Sequence, residues 1–74
     1  MLRVRLFQNN QQRFAGTANR IVLPGEEGEL SVMDFHAPML CALTNGSVQI
    51  DDTVVAVRGG LARVDRNIVT IVAH

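Results

Sequence analysis

Apolar and polar residues alternate with a period of two along most of this chain. Leu2, Val4 and Leu6 point one way and Arg3 and Arg5 the other, the signature of a strand with one buried face. Gln8-Asn9-Asn10-Gln11 is polar turn material. Phe14, Gly16 and Ala18 then share one face, whereas Ile21 and Leu23 continue on the opposite parity. That change of phase predicts a β-bulge or sharp bend near Asn19-Arg20. Pro24-Gly25 stops the strand, because proline has no ladder donor and glycine admits unusual dihedrals.

Short strands are expected at Leu30–Met33 and Met39–Leu43. Asn45-Gly46 reads as a tight turn into Ser47–Ile50, and Asp51-Asp52 as a second hairpin tip before Thr53–Val57. Gly59-Gly60 separates that run from Leu61–Val64, and Asp65-Arg66-Asn67 turns into a last strand, Ile68–Val72. No window carries a 3.6-residue period with caps, so helix content should be near zero. The expectation is an all-β fold, an antiparallel β-sandwich or flattened barrel of short strands forming one domain over residues 1–74.

With 74 residues the core is thin, since a domain of this size buries only roughly 60% of its unfolded surface. An apolar fraction of 47% with 19% charged residues is ordinary for a globular chain. Seven arginines balance seven acids, leaving no net field to recruit nucleic acid or an anionic membrane. Lysine is absent, which excludes carriage of biotin or lipoate and Schiff-base chemistry. The three aromatics are all Phe, a thin platform for stacking bases. Cys41 stands alone in an apolar run and reads as a small packed thiol. The first residues form no apolar h-region, and no stretch approaches the ~20 apolar residues of a membrane span.

Catalytic patterns are missing. There is no Gly-x-Ser-x-Gly, and Ser31 has only His36 near it, with no third orienting group. Asp34 and His36 offer two metal ligands without a third. Gly25-Glu26-Glu27-Gly28 shares only its glycines with a phosphate loop, and its carboxylates would repel phosphate. Asp51-Asp52 fits a turn better than an acid/base pair. No enzyme activity and no cofactor are expected.

The stretch from Ile21 to Leu43 is the most specific. Leu23-Pro24-Gly25-Glu26-Glu27-Gly28-Glu29-Leu30 precedes His36-Ala37-Pro38-Met39-Leu40 at a set spacing, with Phe14 and Gly16 before it and Gly59-Gly60 and Val69-Thr70-Ile71 after it. In these residues the chain resembles the epsilon subunit of F-type ATP synthases, specifically its amino-terminal β-sandwich. The resemblance implies a non-catalytic central-stalk (rotor) subunit that links the gamma shaft to the c ring, so that proton flow is coupled to ATP synthesis. It implies a protein peripheral to the cytoplasmic face of the bacterial inner membrane, held there by partners and monomeric when isolated. Glu26, Glu27, Gly28, Glu29 and Leu30 match the family's c-ring contact. His36, Ala37 and Pro38 match its shaft-facing surface, as do Cys41 and Gln8, with Phe35 an added candidate there.

Three departures stand out. Asp34-Phe35 replaces the usual Pro-Gly before His-Ala-Pro, leaving Phe35 either exposed or tucked into the core. The hairpin at Ile50-Asp51-Asp52-Thr53 is shorter than usual. The family also continues into a helical hairpin after the last strand; a protein ending at His74 would have no helical latch, no self-inhibition and no ATP site. Outside the family, the residues also fit a stand-alone β-sandwich interaction module self-associating through an edge strand such as Ile68–Val72. A small nucleic-acid-binding barrel fits the neutral charge poorly.

Overall fold

A computed structural model describes all residues, 1–74, and contains strands and turns only. The strands are β1 (Leu2–Gln8), β2 (Gln11–Ala18), β3 (Arg20–Gly25), β4 (Gly28–Met33), β5 (Met39–Ile50), β6 (Thr53–Asp65) and β7 (Ile68–Ala73). They form one open sheet in the order β2-β1-β7-β6-β5-β3-β4. Every pairing is antiparallel except β1 with β7, which joins the two ends of the chain in parallel. The sheet folds over on itself as a sandwich.

The fold-over is made within β5 and β6. In β5 the inward residues are Met39, Cys41 and Leu43, then Val48 and Ile50; in β6 they are Val55 and Val57, then Ala62 and Val64. Both strands thus change parity at the same level, while their ladder continues in register from Ile50↔Thr53 to Met39↔Val64. Two expectations are corrected here. Asn45-Gly46 is no hairpin turn but lies inside β5, paired with Arg58 and Val57. Gly59-Gly60 does not separate two strands but bends one. Their φ angles of 93° and 137° carry β6 through a change of direction that other residues resist.

Tertiary packing explains both glycine sites. Pro24 lies against Gly46, where an added Cβ would come within 2.9 Å of the proline Cβ. Pro24 also sits where the β3–β5 register shifts between Val22 and Gly25, as expected of a residue with no ladder donor. A Cβ on Gly60 would meet the Val72 carbonyl and lie 2.7 Å from the Ala73 Cα.

Other expectations hold. Leu2, Val4 and Leu6 are buried and Arg3 and Arg5 exposed. Ala18 and Ile21 are both fully buried on either side of a bend at Asn19, the predicted change of phase. Asn9-Asn10 and Arg66-Asn67 are two-residue turns with positive φ at both positions, which suits the right-handed twist of hairpins. Ile68–Val72, in contrast, is no edge: β7 lies between β1 and β6, and the free edges belong to β2 and β4. The buried core holds 17 apolar side chains and no polar or charged one, so any chemistry this domain performs takes place on its surface.

Candidate partner-contact site

The Pro24-Gly25-Glu26-Glu27-Gly28-Glu29 segment is the tip of the β3–β4 hairpin. Gly25 pairs with Gly28, leaving Glu26-Glu27 as the turn, and Glu29 and Leu30 are already on β4. Gly28 has φ 127°, open only to glycine at little cost. The tip is tied to the body of the sheet, because the Glu26 amide donates to the Ala42 carbonyl at 3.0 Å.

Between the tip and β5 lies a shallow cleft of about 430 Å³, lined by Gly25–Leu30 on one side and Met39–Ala42 on the other. Leu30, Met39 and Cys41 are half-buried against the core and form its floor. Three exposed carboxylates, Glu26, Glu27 and Glu29, stand around it. The glycine at position 25 is what lets the floor close, since a Cβ there would come within 2.7 Å of the Gly28 carbonyl oxygen and 3.3 Å of the Cys41 Sγ.

Burial pushes the Cys41 thiol above its ordinary pKa, and the negative charges of Glu26 and Glu27 push it the same way. A thiol held protonated in this manner is a poor nucleophile. The cleft therefore offers an apolar floor and an acidic rim, a surface for a cationic or amphipathic partner rather than a reaction site.

His36, Ala37, Pro38 and Phe35 lie beyond the far end of β4, in the segment that joins it to β5. The His36 amide donates to the Met33 carbonyl at 3.2 Å and closes the turn, and the His36 Nδ1 is 2.7 Å from the Ala37 carbonyl oxygen. His36 thus has a local backbone partner while remaining half-exposed. Of the two places open to Phe35, the surface is the one observed: its side chain is 90% exposed. Its backbone has φ 64°, a left-handed conformation rare for a bulky residue. The Phe35 amide donates to Asn67 Oδ1 at 2.8 Å, so the β6–β7 turn holds this loop in place.

The candidate residues therefore fall in three places. Glu26–Leu30 and Cys41 share the cleft; Phe35–Pro38 project from the opposite end of β4. Gln8 belongs to neither. Its Nε2 donates to the carbonyls of Ala56 at 2.8 Å and His74 at 3.2 Å, while its Oε1 accepts from Arg13. Asp51 and Asn67 were missed as positioning residues, though an Asp or Asn in a predicted turn is a standing signal for side-chain capping of backbone amides.

Comparison with known proteins bears on the family and the fold. The model of the ATP synthase delta/epsilon chain β-sandwich domain matches residues 1–74. The chain is 33% identical over 78 residues to the ATP synthase epsilon chain of Janthinobacterium sp. (strain Marseille) and equally to that of Herminiimonas arsenicoxydans. In each case 97% of this chain is covered and 56% of the relative, so it spans about half the length of these curated relatives. Its fold is similar to that of a chain in the central stalk/c-ring of the Tetrahymena thermophila mitochondrial ATP synthase, with a TM-score of 0.77 at 19% identity, covering 97% of this chain and 62% of that one. With its sandwich fold and a match to that domain model over residues 1–74, the chain belongs to the ATP synthase delta/epsilon β-sandwich family.

Proposed function

We infer that this domain acts as a non-catalytic rotor element of an F-type ATP synthase, joining the gamma shaft to the c ring so that proton flow across the membrane drives ATP synthesis. On this reading it lies at the cytoplasmic face of a bacterial inner membrane, held there by its partners, and is a monomer when isolated. The observation that carries the reading is the separation of two partner-shaped surfaces by a rigid strand. The acidic tip at Glu26-Glu27-Gly28-Glu29-Leu30 and the loop at Phe35-His36-Ala37-Pro38 lie at opposite ends of β4, about 17 Å apart at 3.3 Å per residue. A coupling element needs two such surfaces at a fixed distance.

The roles divide by chemistry. The carboxylates at the tip suit basic residues on the loops of the ring, setting orientation more than affinity. The exposed Phe35 ring and the neighbouring His36 suit an apolar socket on the shaft, where a projecting aromatic is an effective anchor. Cys41, on the cleft floor, would meet the shaft only if the shaft reached over Leu40 and Ala42, and Gln8 would act by stiffening the sheet.

Calorimetric titration into the purified shaft subunit from the same source tests this. A one-to-one complex of micromolar or better affinity is expected, burying at least about 1,000 Å² and weakened by Phe35→Ala and His36→Ala. No binding between folded partners would reject the reading. Glu29→Arg should leave shaft affinity unchanged while weakening association with the isolated ring.

A further inference from the structure

Asn45-Gly46 has the sequence of a turn but lies inside β5, and neither contact surface uses it. Packing fixes the glycine, because an added Cβ would come within 2.9 Å of the Pro24 Cβ. Of the asparagines Asn9, Asn10, Asn19, Asn45 and Asn67, only Asn45 precedes a glycine. That order carries chemistry of its own. With no side chain to hinder it, a glycine amide nitrogen is the backbone nucleophile best able to reach the side-chain carbonyl of a preceding asparagine. Asparagine is for this reason one of the thermolabile residues.

The folded strand holds that reaction off in two ways. Counting from the two-residue turn at Asp51-Asp52, the pairs that exchange ladder hydrogen bonds are Ile50↔Thr53, Val48↔Val55 and Gly46↔Val57. The other side of β6 gives the same phase. There the Ala56 carbonyl accepts from Gln8 and the Arg58 amide donates to the His74 carbonyl, so Val57 between them faces β5. The Gly46 amide is thus engaged with β6. Strand dihedrals also keep its nitrogen away from the Asn45 Cγ, because a five-membered ring cannot close on an extended backbone. The protection is local, however. Leu43 pairs with Gly60 and Asn45 with Arg58, but no bridge joins Thr44 to Gly59 between them. The ladder therefore lapses at the crease, immediately beside Asn45, whose side chain is exposed.

We propose that Asn45-Gly46 is a latent succinimide-forming modification site, closed in the folded sandwich and uncovered when the crease between β5 and β6 opens. On opening, the Gly46 amide nitrogen loses its proton to solvent base and attacks the Asn45 Cγ. The new C–N bond closes the ring, the bond from Cγ to the side-chain nitrogen breaks, and ammonia leaves with a proton from water. Water then opens the ring at either carbonyl. Attack at Cγ breaks the bond just formed and leaves an aspartate in an ordinary backbone. Attack at the main-chain carbonyl carbon breaks the original peptide bond and leaves an isoaspartate, whose backbone is one methylene longer. The two products fare differently in the fold. An aspartate faces Arg58 in a pair without ladder bonds, where side chains lie close, and opposite charges there are favourable. The longer backbone puts the two arms of β5 out of phase with β6, so Leu43 and Val48 cannot both point inward. The inference does not rest on the rotor reading.

The test ages the whole chain at mildly alkaline pH, in native buffer and in a urea series that spans its unfolding midpoint. Peptide mapping by mass locates each conversion, and enzymatic methylation of isoaspartyl groups separates the two products. Conversion at Asn45 should be at least about tenfold slower in the native protein than in the unfolded chain, and should rise with urea below the midpoint as opening becomes more frequent. When the aged, unfolded mixture is returned to native buffer, the folded fraction should contain aspartate at this position and the unfolded fraction isoaspartate. Asn45→Ser should abolish conversion there, and Asn45→Asp should melt no lower than wild type. Equal rates in the folded and unfolded chains, faster conversion at another asparagine in the unfolded chain, or no conversion at all would each overturn the proposal. So would isoaspartate recovered in the folded fraction, or a lower melting temperature for Asn45→Asp. None of these results bears on shaft affinity, which the calorimetric titration measures separately.

Discussion

Asp51 and Arg20 hold each other by both ends of the backbone. The Asp51 carboxylate accepts the Arg20 amide at 3.0 Å, and the Asp51 amide donates to the Arg20 carbonyl at 3.0 Å. Asn19 adds its own amide to the same carboxylate at 3.1 Å. The clamp sits where the chain crosses from the β1–β2 side of the sandwich to the β3–β4 side, so a residue of the β5–β6 turn fixes a crossing more than thirty residues earlier in the chain.

Asp51→Ala removes an acceptor shared by two amides and places alanine at a φ of 49°. The expected loss is about 1–2 kcal/mol, reduced from the upper range for charged hydrogen bonds because the site is exposed. Asp51→Asn keeps one acceptor and tolerates the left-handed backbone, so it should lose less than half as much. Urea unfolding of the three proteins gives the comparison, and equal stability of all three would remove the clamp's importance.

Phe35 combines an exposed ring with a left-handed backbone. Phe35→Gly relieves the conformation without emptying any packed space, and should leave stability unchanged or raise it by up to about 1 kcal/mol. Thermal melts measure this; a clear fall in melting temperature would mean that the ring packs in solution.

Gly60→Ala forces a methyl group against Val72 and Ala73 on the neighbouring strand. The clash is with backbone, which cannot rotate away, and the φ of 137° is unsuited to alanine. A loss above about 3 kcal/mol is expected, enough to leave a domain this small largely unfolded. Circular dichroism and soluble yield report the result.

Burial first, then the charges of Glu26 and Glu27, hold the Cys41 thiol protonated beyond the ordinary thiol range. Because only the thiolate reacts, alkylation of the folded protein at pH 8 should be slower than that of the urea-unfolded chain, and should accelerate as pH rises through the raised pKa. Glu26→Gln/Glu27→Gln removes the charge contribution and should speed the reaction at fixed pH, leaving part of the slowing in place. A rate unaffected by both unfolding and substitution would contradict the cleft geometry.

Local pattern was enough for the strands and most turns. The alternation of Leu2, Val4 and Leu6 marks a buried face whatever lies opposite, and the change of phase between Ala18 and Ile21 registers a crossing between layers. Gly46 and Gly59-Gly60 misled because their reasons are distant. Gly46 is small to make room for Pro24, and Gly60 to let β6 pass against β7, so neither reason is visible among sequence neighbours. For the same cause the placing of Arg5 and Arg63 on either side of Thr70 could not be read in advance, because it depends on a parallel pairing of the first strand with the last. The cleft was half legible: Glu26–Leu30 announces an acidic turn, but its partnership with Cys41 depends on how β3 meets β5.

One sheet creased across two long strands resists force differently from two sheets stacked face to face. Stacked sheets are held by side-chain contacts and can slide over one another, whereas here β5 and β6 carry covalent backbone through the crease and stay paired in one register on both sides of it. A pull applied between the Glu26-Glu27 tip and the Phe35 loop runs along β4, across the hydrogen bonds that pair it with β3. The load passes through the covalent backbone of an already extended strand, and the pairing with β3 keeps that strand straight, so a strand of only six residues behaves as a tie-rod.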